Sequence, residues 1–375
     1  MPEKHLHIIS FDIPWPANYG GVIDVYYKLV ALRKAGIHLI LHCFEYGREH
    51  AAELELLCDE VHYYPRQTGI GANLRSSPYI VESRKSDKLL NRLLQDNHPI
   101  LFEGLHSCYY LDHPDLQHRK KVYRESNIEH HYYYHLFKAE NNPARKAFFL
   151  IESLRLRVFQ RKLKHADLML VVSQSDTKYL QKHFPDREVI YLPSFHPSDD
   201  FSVIPGKGNY VLYHGKLSVT ENLKAAEFLI EKVFAGLKHK LVIAGMDPPE
   251  RLNTLAGPHP NVEIISNPDD EKMFSLIRNA QANILITFQA TGLKLKLLNT
   301  LFKGRFCIVN AAMVQGTGLA ELCETADGPR ALRQKIDEVF QREFNINEVE
   351  RRRKVLMQNY WNAGNAQRLI KLIWD

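Results

Sequence analysis

The sequence is short of several things, and each shortage excludes a class of protein. No apolar run comes near the ~20 residues needed to cross a bilayer. The longest are pieces such as Leu168–Val172, which suit buried strands. Cysteine is scarce: Cys43, Cys58, Cys108, Cys307 and Cys323 are odd in number, far apart and form no Cys-x-x-Cys pair. That leaves neither a disulfide framework nor a zinc spacing, and predicts small core residues in a reducing compartment. No leader is expected either. Met1-Pro2-Glu3-Lys4-His5 runs straight into a strand-like segment, which predicts no signal peptide and a cytoplasmic protein. The three spaced glycines of a dinucleotide fingerprint are absent: Gly69-Ile70-Gly71-Ala72-Asn73-Leu74 stops at two, so a nicotinamide dehydrogenase is disfavoured. No carboxylate pair carries the logic of hydrolysis by two acids.

What remains is an ordinary globular composition. The 375 residues are 45% hydrophobic and 25% charged, enough for two domains that each bury a core. The net charge of +6 is small, but it has an address. Between Lys138 and His165 stand Lys138, Arg145, Lys146, Arg155, Arg157, Arg161, Lys162 and Lys164 against Glu140 and Glu152 alone, a local excess equal to that of the whole chain. Phe148, Phe149, Leu150, Leu154, Val158 and Leu163 are interleaved with them. Such a basic amphipathic helix either packs with a solvated basic face or docks on anionic lipid. Just before it, His130-His131-Tyr132-Tyr133-Tyr134-His135 is a run of rings that suits an acceptor groove or a packed helix.

Strand-like and helix-like segments alternate along the chain, which predicts parallel sheets covered by helices. Strands are expected at Leu6–Phe11, Ile37–Phe44, Glu60–Tyr64, Ile100–Phe102, Lys121–Arg124, Leu168–Val172 and Glu188–Leu192. The helices between them are Val22–Lys34, Ser83–Gln95, Ile128–Lys138, Ala144–Lys164 and Ser175–His183. Turn formers then cluster at Pro193–Asp200 and Pro205–Gly208 and read as a linker. Alternation restarts with strands at Tyr210–His214, Lys240–Ala244, Val262–Ile265, Asn283–Ile286 and Phe306–Val309, and helices at Glu221–Phe234, Asp270–Asn279 and Leu293–Lys303. Ile346–Asp375 reads as a long, mostly helical end. The expected fold class is therefore α/β, with two Rossmann-like doubly wound domains facing a cleft. The expected boundaries are 1–195, a linker 196–208, 209–355, and a closing helix 356–375.

Four segments carry chemistry. In Phe11–Val22 a strand ends, a Pro-rich loop follows, and Gly20-Gly21 open a helix, so backbone amides and the helix start can face an anion. In Phe288–Asn299 a helix opens near Thr291-Gly292, where amides can hold a diphosphate with Lys294 and Lys296 adding charge, and Asn299 can reach a ribose. In Tyr213–Asn222 a strand ends at Gly215 with Lys216 beside it. In Phe102–Ser107 a strand end carries Glu103 and His106, the latter able to bind or deprotonate a hydroxyl. Each of these also fits an ordinary strand-to-helix turn.

Taken in order, the pieces resemble the GT-B glycosyltransferases of the retaining family 4 type, also called glycosyl transferases group 1. The resemblance rests on Gly20-Gly21, Glu125-Ser126-Asn127-Ile128-Glu129, Ala166–Ser173, His214-Gly215-Lys216-Leu217, Thr291–Asn299 and the closing Asn365–Ile370. It implies a hexosyltransferase that moves a sugar, with retention, from a GDP- or UDP-linked donor to a glycan or lipid-linked acceptor in polysaccharide assembly. No metal or other cofactor is expected, and no nucleic acid. The resemblance places Gly20 and Gly21 at the donor phosphates and His106 near the transferred sugar. It puts Lys216 where the family has a phosphate-binding Arg, and Gly215, Thr291, Gly292, Leu293 and Lys294 at the diphosphate. The closing helix is expected to cross back to the first domain. Asn299 stands where the family has a ribose-binding Glu, and Glu221-Asn222 where a further cation is usual. Peripheral membrane contact through residues 144–164 is a further expectation. A sugar-nucleotide epimerase and a catalytically silent carbohydrate-binding homologue are the alternatives.

Overall fold

The computed structural model describes residues 3–69, 77–198, 200–288 and 295–375. The chain divides into two compact units, Met1–His196 with Tyr360–Asp375, and Pro197–Asn359.

Unit 1 is built on a seven-stranded, wholly parallel sheet. Its strands are β1 (His5–Ile9), β2 (His38–Glu45), β3 (Glu60–Pro65), β4 (Ile100–Glu103), β5 (Lys121–Glu125), β6 (Leu168–Val171) and β7 (Glu188–Tyr191), in the order β3-β2-β1-β4-β5-β6-β7. Continuous apolar runs such as Ile100–Phe102 and Leu168–Val171 are buried because helices cover both faces of the sheet. One face packs Leu6, Ile8, Leu39 and Leu41 against Val25, Leu29 and Leu32 of the helix Gly20–Lys34 and against Leu369 and Ile373 of the last helix, Asn362–Trp374. The other face packs Ile9, Phe44, Phe102 and Tyr123 against Leu156 and Phe159 of the helix Pro143–Phe159.

Unit 2 repeats the plan with six parallel strands: β8 (Tyr210–His214), β9 (Lys240–Gly245), β10 (Val262–Ser266), β11 (Ala282–Leu285), β12 (Phe306–Val309) and β13 (Glu324–Thr325), in the order β10-β9-β8-β11-β12-β13. Its main core joins Val211, Tyr213, Ile243 and Ile284 to Leu229, Val233 and Ile336. The turn-rich stretch after Pro197 is packed: Val203 belongs to that core, Ser202 N–H donates to the Phe302 carbonyl at 3.0 Å, and Gly206 bridges to Phe344.

Both sheets reverse strand order once, between β1 and β4 and between β8 and β11. In open parallel sheets the loops diverge at that point, on the carboxyl side, and leave a crevice for ligands. The Phe11–Gly21 loop follows β1, Gly104–His106 follow β4, Gly215-Lys216 follow β8, and the loop into the helix Leu295–Lys303 follows β11. Those are the four segments singled out for chemistry.

Candidate active site

On unit 1 the loop after β1 is held firmly. Ile13 N–H donates to Asp12 Oδ1 at 2.9 Å and Tyr19 O–H to Asp12 Oδ2 at 2.8 Å. Arg48 donates to the carbonyls of Ile13 and Pro16, and Arg84 Nε to that of Phe11 at 2.8 Å. The helix then starts at Gly20 with no side chain capping its amides. The two glycines differ in their reasons. A Cβ on Gly20 would meet open space, whereas one on Gly21 would lie 2.6 Å from Phe11 Cζ. Gly20 thus leaves the helix start accessible, and Gly21 makes room for the Phe11 ring.

That ring tilts over His106, centroid to centroid 5.4 Å. His106 lies in the short helix Leu105–Tyr110, reached through Gly104 at φ +69°, a left-handed conformation that favours glycine. Its Nδ1 is buried without a hydrogen-bond partner, 3.9 Å from Glu129 Oε1. Burial holds the His106 imidazole well below its ordinary range, and Arg84 and Arg66 push the same way. Burial raises Glu129 to about 8 against the pull of Arg84. Near neutral pH both groups are therefore uncharged, with the Glu129 carboxyl protonated. Glu125, at the end of β5, is also raised well above the carboxylate range by burial; it accepts from Tyr123 O–H at 2.5 Å and from Asn127 N–H at 3.0 Å.

Beneath the site lies a buried ionic quartet with no sequence motif. Lys28 Nζ donates to Asp24 Oδ2 at 3.0 Å and to Glu103 Oε1 at 2.6 Å. Arg124 donates to both Asp24 oxygens at 3.1 Å and to the carbonyls of Leu192 and Pro193. The quartet ties the glycine-opened helix to the ends of β4 and β5.

On unit 2 the end of β8 is equally braced. A Cβ on Gly245 would sit 1.8 Å from the Gly215 carbonyl, so only glycine allows the ends of β8 and β9 to approach this closely. His214 Nε2 lies 3.1 Å from Thr300 Oγ1 and draws the helix Leu295–Lys303 alongside; burial and the nearby Lys296 lower this imidazole to about 3. Asn222 Nδ2 donates to the Lys216 carbonyl at 3.0 Å, and Asn222 Oδ1 accepts from Lys296 Nζ at 3.1 Å. Asn222 thus links the Lys216 backbone to the Lys296 ammonium at the end of β8. Lys216 is half exposed, and its one ion pair among the described residues, with the exposed Asp247, is a loose 3.9 Å contact. Thr287 lies two residues past the end of β11; it donates through Oγ1 to Glu221 Oε1 and is clasped by Asn310 at 2.7 and 3.1 Å.

The expected site residues fall into four groups. Gly20, Gly21 and His106 come together on unit 1, and Gly215 and Lys216 lie at the end of β8 on unit 2. Asn299 is on the helix Leu295–Lys303, its Oδ1 accepting from Ser198 O–H at 2.6 Å. Thr291, Gly292, Leu293 and Lys294 lie outside the described residues. Sequence reasoning weighted Lys294 above Lys296, did not single out Asn222 as a ligand-facing residue, and took no notice of Thr287, Asn310 or Arg84. No spacing signals them, because their partners arrive from other elements. Within the His-Tyr run, His130 is buried against Gln160 (3.1 Å) and Tyr179 (3.3 Å), while Tyr132 and Tyr134 are exposed.

With this geometry in view, the likeness to solved proteins is direct. A glycosyltransferase from Rickettsia africae is similar over 100% of this chain and 98% of its own, with a TM-score of 0.67 and 12% identity. WaaG, described as a glycosyltransferase involved in lipopolysaccharide biosynthesis, is similar over 98% and 99%, with a TM-score of 0.65 and 14% identity. Alr3699/HepE of Anabaena, solved in complex with UDP and glucose, covers 99% of each chain at a TM-score of 0.62 and 12% identity. The chain has the GT-B fold. The final helix, Asn362–Trp374, returns to unit 1. No protein-family model matches the sequence. An uncharacterised 44.6 kDa protein of the cps region of Klebsiella pneumoniae is 25% identical over 342 residues, 83% of this chain and 84% of its own.

Proposed function

We propose that this protein is a retaining hexosyltransferase that moves a sugar from a nucleoside-diphosphate donor to a glycan or lipid-linked acceptor in polysaccharide assembly. The observation that carries the reading is the meeting of sequence and topology: the loops singled out for phosphate and hydroxyl chemistry are those at the strand-order reversals of both sheets. The GT-B fold, the UDP and glucose of the Anabaena protein and the cps-region relative support it.

In this reading Lys216 and Lys296 bind the donor diphosphate on unit 2. Breaking a glycosyl–phosphate bond concentrates negative charge on the departing diphosphate, so cations fixed beside it stabilise the transition state more than the ground state. Asn222 holds both lysine-bearing segments in place and needs no reorganisation as charge develops. His106 serves on unit 1 as a neutral hydrogen-bonding group for a sugar hydroxyl. Its lowered basicity makes it a poor proton acceptor near pH 7. Thr291, Gly292, Leu293 and Lys294 complete the diphosphate site by resemblance, and Asn299 contributes its amide toward the ribose.

Contact with a membrane is the second part of the proposal. Ile151, Leu154 and Val158 form one exposed stripe of the helix Pro143–Phe159, at 50, 56 and 62% exposure, with exposed Arg157 and Arg161 beside it. Such a surface suits a protein whose acceptor is carried on lipid. No helix among the described residues is long and apolar enough to cross a membrane.

Thermal denaturation with UDP, GDP or ADP tests the donor assignment. One of them is expected to raise the melting temperature, and Lys216→Ala or Lys296→Ala to cut that rise by at least about half. A curve that none of the three moves would sink the reading.

A further inference from the structure

A cavity of about 570 Å³ opens at the other edge of unit 1. Arg157, Arg161 and Lys164 line it from the end of the long helix and the turn that follows, and Arg187 lines it from the loop before β7. Ala166 precedes β6 and Arg187 immediately precedes β7, so these cations sit toward the amino ends of the strands. His106 and Glu129 instead follow the carboxyl ends of β4 and β5.

The neighbours on the same helix show what is unusual. Arg155 is paired with Glu152 at 3.0 Å and Lys162 with Asp112 at 2.8 Å. Arg157, Arg161, Lys164 and Arg187 have no ion-pair partner among the described residues, although Asp186 also lines the cavity. The wall behind them is fixed. Gln160, itself buried, holds His130 at 3.1 Å and receives support from Tyr179 at 3.4 Å. The Tyr179 ring lies 4.1 Å from that of His183, whose Nδ1 contacts the Tyr179 carbonyl at 2.8 Å. Uncompensated cations on a rigid wall repel one another until an anion arrives. Guanidinium forks match phosphate oxygens in pairs, and the volume suits a small ligand.

We propose that this cavity is a phosphate-binding site, taking a phosphate or pyrophosphate group distinct from the donor of the proposed reaction. It stands whether or not the transferase reading does. Calorimetry with inorganic pyrophosphate, on full-length protein carrying Lys216→Ala and Lys296→Ala to remove the unit 2 lysines, tests it. Adding Arg161→Glu and Arg187→Glu is expected to weaken binding at least about tenfold, and the milder Arg161→Gln with Arg187→Gln about threefold or more. Lys146→Glu, on the same helix but outside the cavity, is expected to leave pyrophosphate binding unchanged. A parallel arm uses vesicles of phosphatidylcholine with and without phosphatidylglycerol. Loss confined to pyrophosphate identifies a soluble phosphate ligand; loss confined to the anionic vesicles and reproduced by Arg187→Glu alone, which lies off the exposed stripe, identifies a lipid headgroup. Binding that the paired substitutions leave untouched in both arms overturns the proposal.

Discussion

At the scale of single residues, His106 and Glu129 carry a pH signature. Glu129 has a folded pKa of about 8, raised by burial above its ordinary 4.5. The folded state therefore binds the proton more tightly than the unfolded chain. The sign follows: Glu129 favours folding fully below pH 4.5, and that advantage is lost as pH rises through about 8. Glu129→Gln removes the titration. Relative to this variant, the native protein is expected to lose stability by about 1.4 kcal/mol per pH unit across the window, with a plateau on either side. Urea titrations at several pH values measure it, and parallel curves for the two proteins would refute it. His106 was legible as a strand-end histidine. Its neutrality was not, because burial imposes it first, and the cations that add to it, Arg84 and Arg66, come from other segments of the chain.

At the scale of elements, the buried quartet decides where the glycine-opened helix lies. Asp24 and Lys28 are one helical turn apart, a spacing common to exposed ion pairs. In the fold they are buried and share Glu103 and Arg124. Lys28→Met is expected to leave Glu103 uncompensated and cost about 3–5 kcal/mol, read as a lower urea midpoint. An unchanged midpoint would show that the quartet does not hold the helix. Element ends also depart from the pattern. The helix expected over Glu221–Phe234 changes to π geometry from Leu229 onward. The one expected over Ala144–Lys164 tightens to a 3₁₀ turn at Gln160. The long closing segment breaks at Tyr360-Trp361, where Trp361 leaves helical geometry and His196 holds the Tyr360 carbonyl at 2.8 Å. The helices Ala52–Leu57 and Gly328–Gln341 were not anticipated.

At the scale of the whole molecule, the proposed membrane contact makes a prediction that single sites do not. An apolar stripe flanked by cations binds anionic vesicles through both burial and charge. Leu154→Glu with Val158→Glu is expected to abolish sedimentation with phosphatidylglycerol vesicles while leaving the nucleotide-induced rise in melting temperature intact. Sedimentation that survives the double substitution would remove the stripe from the reading.

The sequence by itself determined the parallel α/β class, the positions of nearly all strands and the loops at which ligands are expected. These follow from local alternation, turn formers and strand-end glycines, all of which act between neighbours in the chain. Tertiary structure alone decided which residues meet: Lys296 with Asn222, Thr287 with Asn310, Glu129 with His106, and the four partners of the quartet. It also decided their charge states, since burial and distant cations set a pKa and neither leaves a mark on local sequence.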